Sequence, residues 1–118
     1  MNLFKISDKI VFNTLKKIEF GYLEVIHHNG ELFKFGNPND QLKANLVIKN
    51  PNFTFNLIKG GSVGLAESYM RNEFETKNLS DLIELTARNI KQIHKFSGLL
   101  DLQFINFFKN ILVKNTKN

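Results

Sequence analysis

Residues 60–74, GGSVGLAESYMRNEF, constrain the fold of the chain more than any other stretch. A glycine doublet opens the segment, and Gly60 or Gly61 suits a backbone with positive φ. Ser62 follows as a candidate N-cap of a short helix, with Met70 predicted on its buried face. A polar step then leads to Phe74 in a short extended return. The segment therefore predicts a turn, a buried helix and an edge strand.

Residues 61–74, together with the run NLSDL at 78–82, resemble the N-terminal domain of cyclopropane-fatty-acyl-phospholipid synthases. The chain departs from the family pattern at Asn72, where Gly is common, and at Phe74, where Trp is common. Asn is the non-glycine residue that best tolerates a left-handed backbone, so neither change is expected to break the local structure. The residues that match the family motif are Gly61, Gly64, Glu67, Tyr69, Met70 and Phe74.

The resemblance implies a role beside a separate catalytic domain. In these synthases the domain precedes a methyltransferase domain, which transfers a methylene from S-adenosylmethionine to a double bond in a phospholipid acyl chain. The sequence contains no His-Tyr-Asp motif of that catalytic domain, so no catalytic residue, cofactor or metal ligand is carried over. We therefore expect a non-catalytic accessory domain over residues 1–113, followed by a basic, polar tail at 114–118 that resembles an inter-domain linker. The expected partners are phospholipid or an acyl chain, a methyltransferase domain or subunit, and a second copy of the chain.

The charge pattern favours anionic partners. The formal net charge is +5, and Arg71 and Arg88 are the only two arginines. So few arginines disfavour base readout of nucleic acid, and anionic lipid headgroups are the other anionic partner. Lysines that are simply solvated on helix faces are the alternative interpretation. No cysteine is present, and no apolar run approaches the roughly 20 residues of a membrane-spanning helix. These features predict a cytoplasmic protein, soluble or peripheral at the inner membrane surface.

Asn29-Gly30 predicts a β-hairpin with a two-residue type I′ turn between strands at 22–28 and 31–35. That register places Ile26 opposite Phe33 and His28 opposite Glu31. It also sorts the side chains into two faces: Ile26, Phe33 and Phe35 on one, and Val25, His27 and Leu32 on the other. Alternating apolar residues predict a third strand at 42–49.

Helical patterns surround these strands. The first helix is predicted to start at Ser7, with Ile10, Val11, Leu15 and Ile18 as its apolar stripe. Further helices are predicted from Asn52 to Gly60, from an Asn78 cap through Ile93 to a break at Ser97-Gly98, and over residues 99–113. The order predicts an α+β fold: a small, mainly antiparallel sheet with helices packed on one face. It also resembles the sterol-carrier arrangement, so a free-standing lipid-binding module is the alternative function.

The polar residues of the motif segment suggest a lipid or phosphate contact. Free N–H groups at Gly61 and Ser62, before a helix N-terminus, are able to bind a phosphate, and Tyr69 and Arg71 are candidate neighbours. A plain structural turn is the alternative, since the glycine spacing matches neither a dinucleotide fingerprint nor a P-loop. Glu67 lies among apolar residues, so we expect it to be partly buried and paired with Arg71 or a backbone N–H group.

The histidine pattern argues against a metal site. His27 and His28 are neighbours on a predicted strand, so their side chains are expected on opposite faces of the sheet. Two such rings do not bind one metal ion together. We therefore predict no metal site and interpret both residues as structural strand or surface histidines.

The predicted last helix carries a wide apolar stripe. This stripe has three interpretations: a cap on the core, a contact with another domain or subunit, or a surface that lies on a membrane. We expect part of it to be exposed and to drive self-association or adsorption to lipid. Its members are Phe104, Phe107, Phe108 and Ile111.

The missing nucleotide turn and catalytic motif lead to a first prediction. The isolated chain is expected neither to bind S-adenosylmethionine nor to modify unsaturated phospholipid. Calorimetric titration of the chain with the cofactor measures this directly, and binding in the micromolar range would contradict the prediction.

Overall fold

The computed structural model describes residues 5–93, with only the backbone at residues 61–63 and 93. The α+β class is confirmed. The predicted helix at 99–113, with Phe104, Phe107, Phe108 and Ile111, and the tail at 114–118 lie outside the described residues. The elements are α1 (Ile6–Leu15), β1 (Tyr22–Ile26), β2 (Leu32–Gly36), β3 (Lys43–Ile48), α2 (Phe53–Met70), β4 (Phe74–Glu75), α3 (Leu79–Arg88) and α4 (Ile90–Ile93).

The four strands form one mixed sheet with the order β2-β1-β3-β4. β1 pairs antiparallel with β2 and parallel with β3, and β3 pairs antiparallel with β4. The inner face of the sheet and the helices share one hydrophobic core, which includes Leu23, Val25, Phe35, Leu46 and Ile48 from the strands. None of the helices in the described part of the chain is long and apolar enough to cross a membrane.

The predicted hairpin register is wrong by one residue. Ile26 pairs with Leu32, not Phe33, and the His27 N–H donates to the Glu31 carbonyl at 2.8 Å. The loop therefore holds three residues, with Gly30 alone in the left-handed region at φ 92°. The three-residue loop places Val25, fully buried, on the same face as Phe33 and Phe35. Burial of this apolar face decides the register, and Ile26 and Leu32 are left on the outer face.

Helix α2 runs through the glycine doublet, where the sequence predicted a turn and a new helix. The helix is nevertheless not straight. Asn56 and Ser68 would lie about 18 Å apart along a straight helix axis. Both side chains instead donate to Oε1 of Glu73, at 3.2 Å from Asn56 Nδ2 and 2.7 Å from Ser68 Oγ. The two halves of α2 therefore fold back on each other. The turn predicted at the glycine doublet corresponds to this change of direction within α2.

The face of α2 that packs inward differs from the prediction at its C-terminal end. Ala66 is buried, as is Phe74 just after the helix, but the Met70 side chain is 67% exposed. Met70 is the last residue of α2, and the chain turns away two residues later at Asn72, which has φ 59°. The left-handed Asn72 confirms the conformation expected at this position, whereas the predicted burial of Met70 is wrong.

Helix α3 begins at the predicted cap, since the Asn78 side chain accepts a hydrogen bond from the Asp81 N–H. It ends at Arg88 rather than continuing as one helix through Ile93, because Asn89 interrupts it. The fully buried Asn89 accepts hydrogen bonds from the Glu19 and Phe20 N–H groups and donates to the carbonyls of Phe20 and Leu85. One amide side chain thus joins α3 to the connection before β1.

The fold-back of α2 yields a prediction about its glycines. A Cβ atom at Gly64 would lie 2.4 Å from the Asn56 carbonyl oxygen, whereas nothing lies within 4 Å of one at Gly60. Gly64→Ala is therefore expected to destabilise the protein by roughly 1–3 kcal/mol through overpacking. Gly60→Ala is the matched control and is expected to stabilise it by roughly 0.5–1 kcal/mol, because alanine lowers the entropy of the unfolded chain.

Urea denaturation of both variants beside the parent measures these two effects. Equal shifts of the two midpoints in the same direction would show that the halves of α2 do not touch at Gly64.

Candidate functional site

A buried carboxylate, Asp8, lies at the centre of the largest group of interior polar side chains that we find in the described chain. Asp8 is in the first turn of α1, and both it and His27 are 1% exposed. The His27 Nε2 atom lies 2.9 Å from Asp8 Oδ2, and the Thr54 hydroxyl donates to Oδ1 at 2.5 Å. The Lys5 N–H donates to Oδ2 at 3.1 Å. Asp8 therefore joins α1 to the β1–β2 loop and to the first turn of α2.

The tautomer of His27 follows from its second ring nitrogen. The Asn29 N–H donates to His27 Nδ1 at 3.2 Å, so Nδ1 is an acceptor and carries no proton. In the neutral ring the proton then sits on Nε2 and is donated to Asp8. Both ring nitrogens of His27 are thus engaged.

His28 lies against this pair, contrary to the prediction that the two histidines face opposite ways. The centroids of the His27 and His28 rings are 4.2 Å apart. β1 ends at Ile26, so both residues lie beyond the strand, where strand alternation does not apply. One ligand atom from each of Asp8, His27 and His28 lies within 4.8 Å of the others. Asp8 precedes His27 by 19 positions in the sequence, and no local spacing rule applies at that separation.

Burial and hydrogen bonding have opposite effects on the pKa of Asp8. Burial alone raises the pKa of Asp8, but hydrogen bonds from His27, Thr54 and the Lys5 N–H outweigh burial and lower that pKa below its ordinary value. Burial and the neighbouring His27 lower the pKa of His28. The Nε2 atom of His28 is buried and has no hydrogen-bond partner among the described residues.

The arrangement contains Ser, His and Asp but does not form a hydrolase triad. In a triad the imidazole lies between the hydroxyl and the carboxylate and takes the hydroxyl proton. In this chain the carboxylate lies in the middle, and Ser7 Oγ contacts Thr54 Oγ1 at 2.8 Å rather than an imidazole. The second nitrogen of His27 is held by a backbone N–H group. No hydroxyl in this group is therefore activated as a nucleophile.

The residues predicted to bind lipid or phosphate have mainly structural contacts. Gly61 and Ser62 lie inside α2, so the helix N-terminus expected there is absent. Arg71 Nε donates to Glu73 Oε2 at 2.9 Å, and its guanidinium lies 3.9 Å from Glu67. Two carboxylates already compensate its charge. Tyr69 is 36% exposed, and its ring packs 5.8 Å from the ring of Phe74.

The expected pairing of Glu67 with Arg71 is confirmed, but its expected burial is wrong. The Glu67 side chain is 52% exposed. The buried acid of the motif segment is Glu73, which the sequence reasoning did not select, at 7% exposure. The left-handed backbone at Asn72 reverses the chain, so Glu73 returns toward α2. The side chains of Asn56, Ser68 and Arg71 donate hydrogen bonds to its carboxylate. No local signal in the sequence distinguishes these two glutamates.

An exposed apolar surface lies between α1 and the first half of α2. Ile6, Ile10 and Phe55 are 77%, 45% and 53% exposed. With Ile58 they line a surface groove of about 510 Å³. We call these four residues the α1–α2 patch. Ile10 was predicted to face inward, but α1 turns Ser7, Asp8 and Val11 to the interior instead.

Lysines surround the α1–α2 patch. Lys5 lines the groove, Lys9 is exposed in α1, and Lys59 Nζ lies 6.0 Å from the centroid of the Phe55 ring. No carboxylate lines the described groove, and no ion pair between described residues involves these three lysines. The patch is therefore apolar at its centre and positively charged at its edge.

The core also contains a small apolar cavity. Its volume is about 70 Å³, and its lining includes Phe12, Leu23, Leu46, Leu65 and Leu82. For comparison, an apolar cavity of about 150 Å³ binds a molecule as small as benzene. The cavity as it stands therefore admits no acyl chain.

Comparison of the chain with protein-family models, with curated proteins and with solved structures finds no match.

The buried Glu73 yields a prediction about stability and pH. Burial alone raises its pKa, but hydrogen bonds from Arg71, Ser68 and Asn56 outweigh burial and lower the pKa below its ordinary 4.5. A lowered folded-state pKa stabilises the protein above the unfolded-state pKa, and this stabilisation is lost as the pH falls through the folded-state value. Glu73→Gln is expected to cost roughly 1.5–3 kcal/mol at pH 7, and the difference from the parent should shrink below about pH 4.5.

Glu75→Gln is the matched control, because that side chain is 62% exposed in its pair with Lys49. Denaturation midpoints of the parent and both variants between pH 3 and pH 7 measure the effect. A Glu73→Gln cost that stays constant with pH would show that the loss comes from packing and not from the carboxylate charge.

Proposed function

We propose that the chain is a non-catalytic accessory domain that engages anionic phospholipid and serves a separate S-adenosylmethionine-dependent methyltransferase domain. The observation that carries the lipid part is the α1–α2 patch, with its apolar centre and its edge of lysines. The methyltransferase part rests only on the resemblance of residues 61–82 to cyclopropane-fatty-acyl-phospholipid synthases.

Both parts of the patch favour a lipid surface. Burying a Phe or Ile side chain contributes roughly 1.5–3 kcal/mol, so insertion of Ile6 and Phe55 supplies a useful share of a weak membrane affinity. Each lysine near an anionic surface adds roughly 1 kcal/mol, and salt screens this attraction. Lys5 lines the groove and Lys59 Nζ lies 6.0 Å from the Phe55 ring centroid, so both charges are close to the surface that the patch would enter. Lys9 is exposed and directly precedes Ile10 in α1.

The interior polar group supports a role without turnover. A general base needs a free ring nitrogen or carboxylate oxygen that reaches substrate. His27 and Asp8 are 1% exposed, and their hydrogen-bonding atoms contact other groups of the protein. The Asp8–His27 pair therefore serves as a structural link between α1 and the hairpin.

The small core cavity weighs against the alternative, a sterol-carrier-like module. A carrier that enclosed an acyl chain would need more space than the described core cavity of about 70 Å³ offers. Binding at the surface needs no enlargement of the core.

Cosedimentation of the full chain with lipid vesicles tests the proposal. We expect binding to vesicles that contain phosphatidylglycerol, weaker binding at high salt, and little binding to pure phosphatidylcholine. Phe55→Asp should lower the affinity at least tenfold because it removes an apolar anchor and repels the surface. Exchange of Lys9 and Lys59 for Glu should reduce binding to the anionic vesicles alone.

Leu32→Asp is the matched control, since Leu32 is 48% exposed but on the outer face of the sheet, away from the helices. Phe107→Asp reports on the apolar stripe predicted at the end of the chain. If the parent ignores anionic vesicles at low salt, or if Leu32→Asp impairs binding as much as Phe55→Asp, the patch is not a lipid-binding surface.

A further inference from the structure

We propose that Asp8, His27 and His28 form a binding site for a divalent transition metal ion of the zinc type. One ligand atom of each residue lies within 4.8 Å of the others, and Asp8 and His27 are 1% exposed. Two imidazoles and one carboxylate are ligands that zinc accepts, with a water or another group in the fourth position. We call these three residues the Asp8–His27–His28 cluster.

The spacing requires only small side-chain movements. Ligand bonds of about 2.0–2.2 Å in a tetrahedral site place neighbouring ligand atoms about 3.4 Å apart. His27 Nε2 and Asp8 Oδ2, at 2.9 Å, must separate by about half an ångström, and the third ligand atom must approach from within 4.8 Å. His28 lies between β1 and β2, and its ring is already next to that of His27, with the two centroids 4.2 Å apart.

An unsatisfied atom is the independent observation that points to a ligand. His28 Nε2 is buried and has no hydrogen-bond partner among the described residues. A buried polar atom without a partner is costly, and binding a metal ion would remove that cost. A neutral imidazole with an accessible lone pair is the form that binds a metal ion.

The outer contacts of Asp8 resemble those that orient a metal ligand. The Thr54 hydroxyl donates to Oδ1, and Ser7 contacts that hydroxyl in turn. These contacts leave Oδ2 directed at His27. Oδ2 also accepts from the Lys5 N–H, so hydrogen bonds on both oxygens fix the direction in which the carboxylate would meet a metal ion.

Metal binding must move one proton. His27 Nε2 bears a proton that it donates to Asp8, and the metal ion would take the place of that proton. The proton is transferred to Nδ1 of the same ring, so the ring stays neutral and gains a metal–nitrogen bond at Nε2. Nδ1 then no longer accepts from the Asn29 N–H, and this bond is already long at 3.2 Å. Asn29 is exposed, so water replaces the lost acceptor.

The experiment uses the full chain, treated with a chelator and then titrated with zinc chloride and, separately, with magnesium chloride. We expect one equivalent of zinc to bind and magnesium, which prefers oxygen ligands, not to bind. Zinc at about 100 times its dissociation constant should raise the ratio of folded to unfolded protein about 100-fold. In NMR spectra the Asn29 amide and the His28 ring should be among the signals that shift most.

His28→Ala removes a ligand whose Nε2 atom makes no hydrogen bond within the described chain, so this variant is expected to fold. It should lower the zinc affinity at least tenfold. His94→Ala is the control and should bind zinc as the parent does.

Any one of three results would overturn the inference. The parent binds no zinc at 100 μM, the His28→Ala variant binds zinc as well as the parent does, or zinc leaves the NMR signals of Asn29 and His28 unchanged. The last measurement uses the parent alone and therefore does not depend on whether the variant folds.

Discussion

The packing of the described fold depends on how Asp8 is accommodated in the interior. A buried carboxylate without partners is strongly unfavourable, so its position dictates which groups must surround it. The His27 imidazole and the Thr54 hydroxyl fulfil this requirement from two other elements. Asp8 thus fixes the rotation of α1: Val11 faces the core, whereas Ile6 and Ile10 face outward. The α1–α2 patch is a consequence of this rotation.

A second buried carboxylate organises the other end of α2. Glu73 collects hydrogen bonds from Asn56 in the first half of the helix and from Ser68 in the second half. These contacts hold the two halves together, and Gly64 allows the close approach because it lacks a Cβ atom. The segment that resembles the synthase family therefore holds the two halves of α2 against each other in this chain. Its glycine, its left-handed Asn72 and its acidic residue each have a local structural role.

The two proposals concern different parts of the molecule that are linked through α1. The α1–α2 patch uses the outward face of that helix, and the Asp8–His27–His28 cluster uses its inward face. The Thr54 hydroxyl, which donates to Asp8, also joins the cluster to the start of α2. Phe55 of the patch is the next residue in the sequence. A metal ion in the cluster would reinforce the contacts that hold α1 against α2. It would not need to reach a substrate.

Local patterns in the sequence determined the class of fold and much of its order. Alternation located β3, with Leu46 and Ile48 facing inward, and the Asn78 cap located the start of α3. Asn72 was correctly expected to accept a left-handed backbone. These features depend on interactions within a few residues, so the sequence alone reveals them.

Only the tertiary structure decided the hairpin register, the ends of the helices and the candidate sites. The Asn-Gly signal is correct for a hairpin, but burial of Val25 beside Phe33 and Phe35 selects the three-residue loop. Asn89 ends α3 because its amide binds residues some 70 positions earlier. Asp8 meets His27 across 19 positions and Thr54 across 46. Such contacts form only when separate elements pack against one another, so no periodicity or spacing along the chain predicts them.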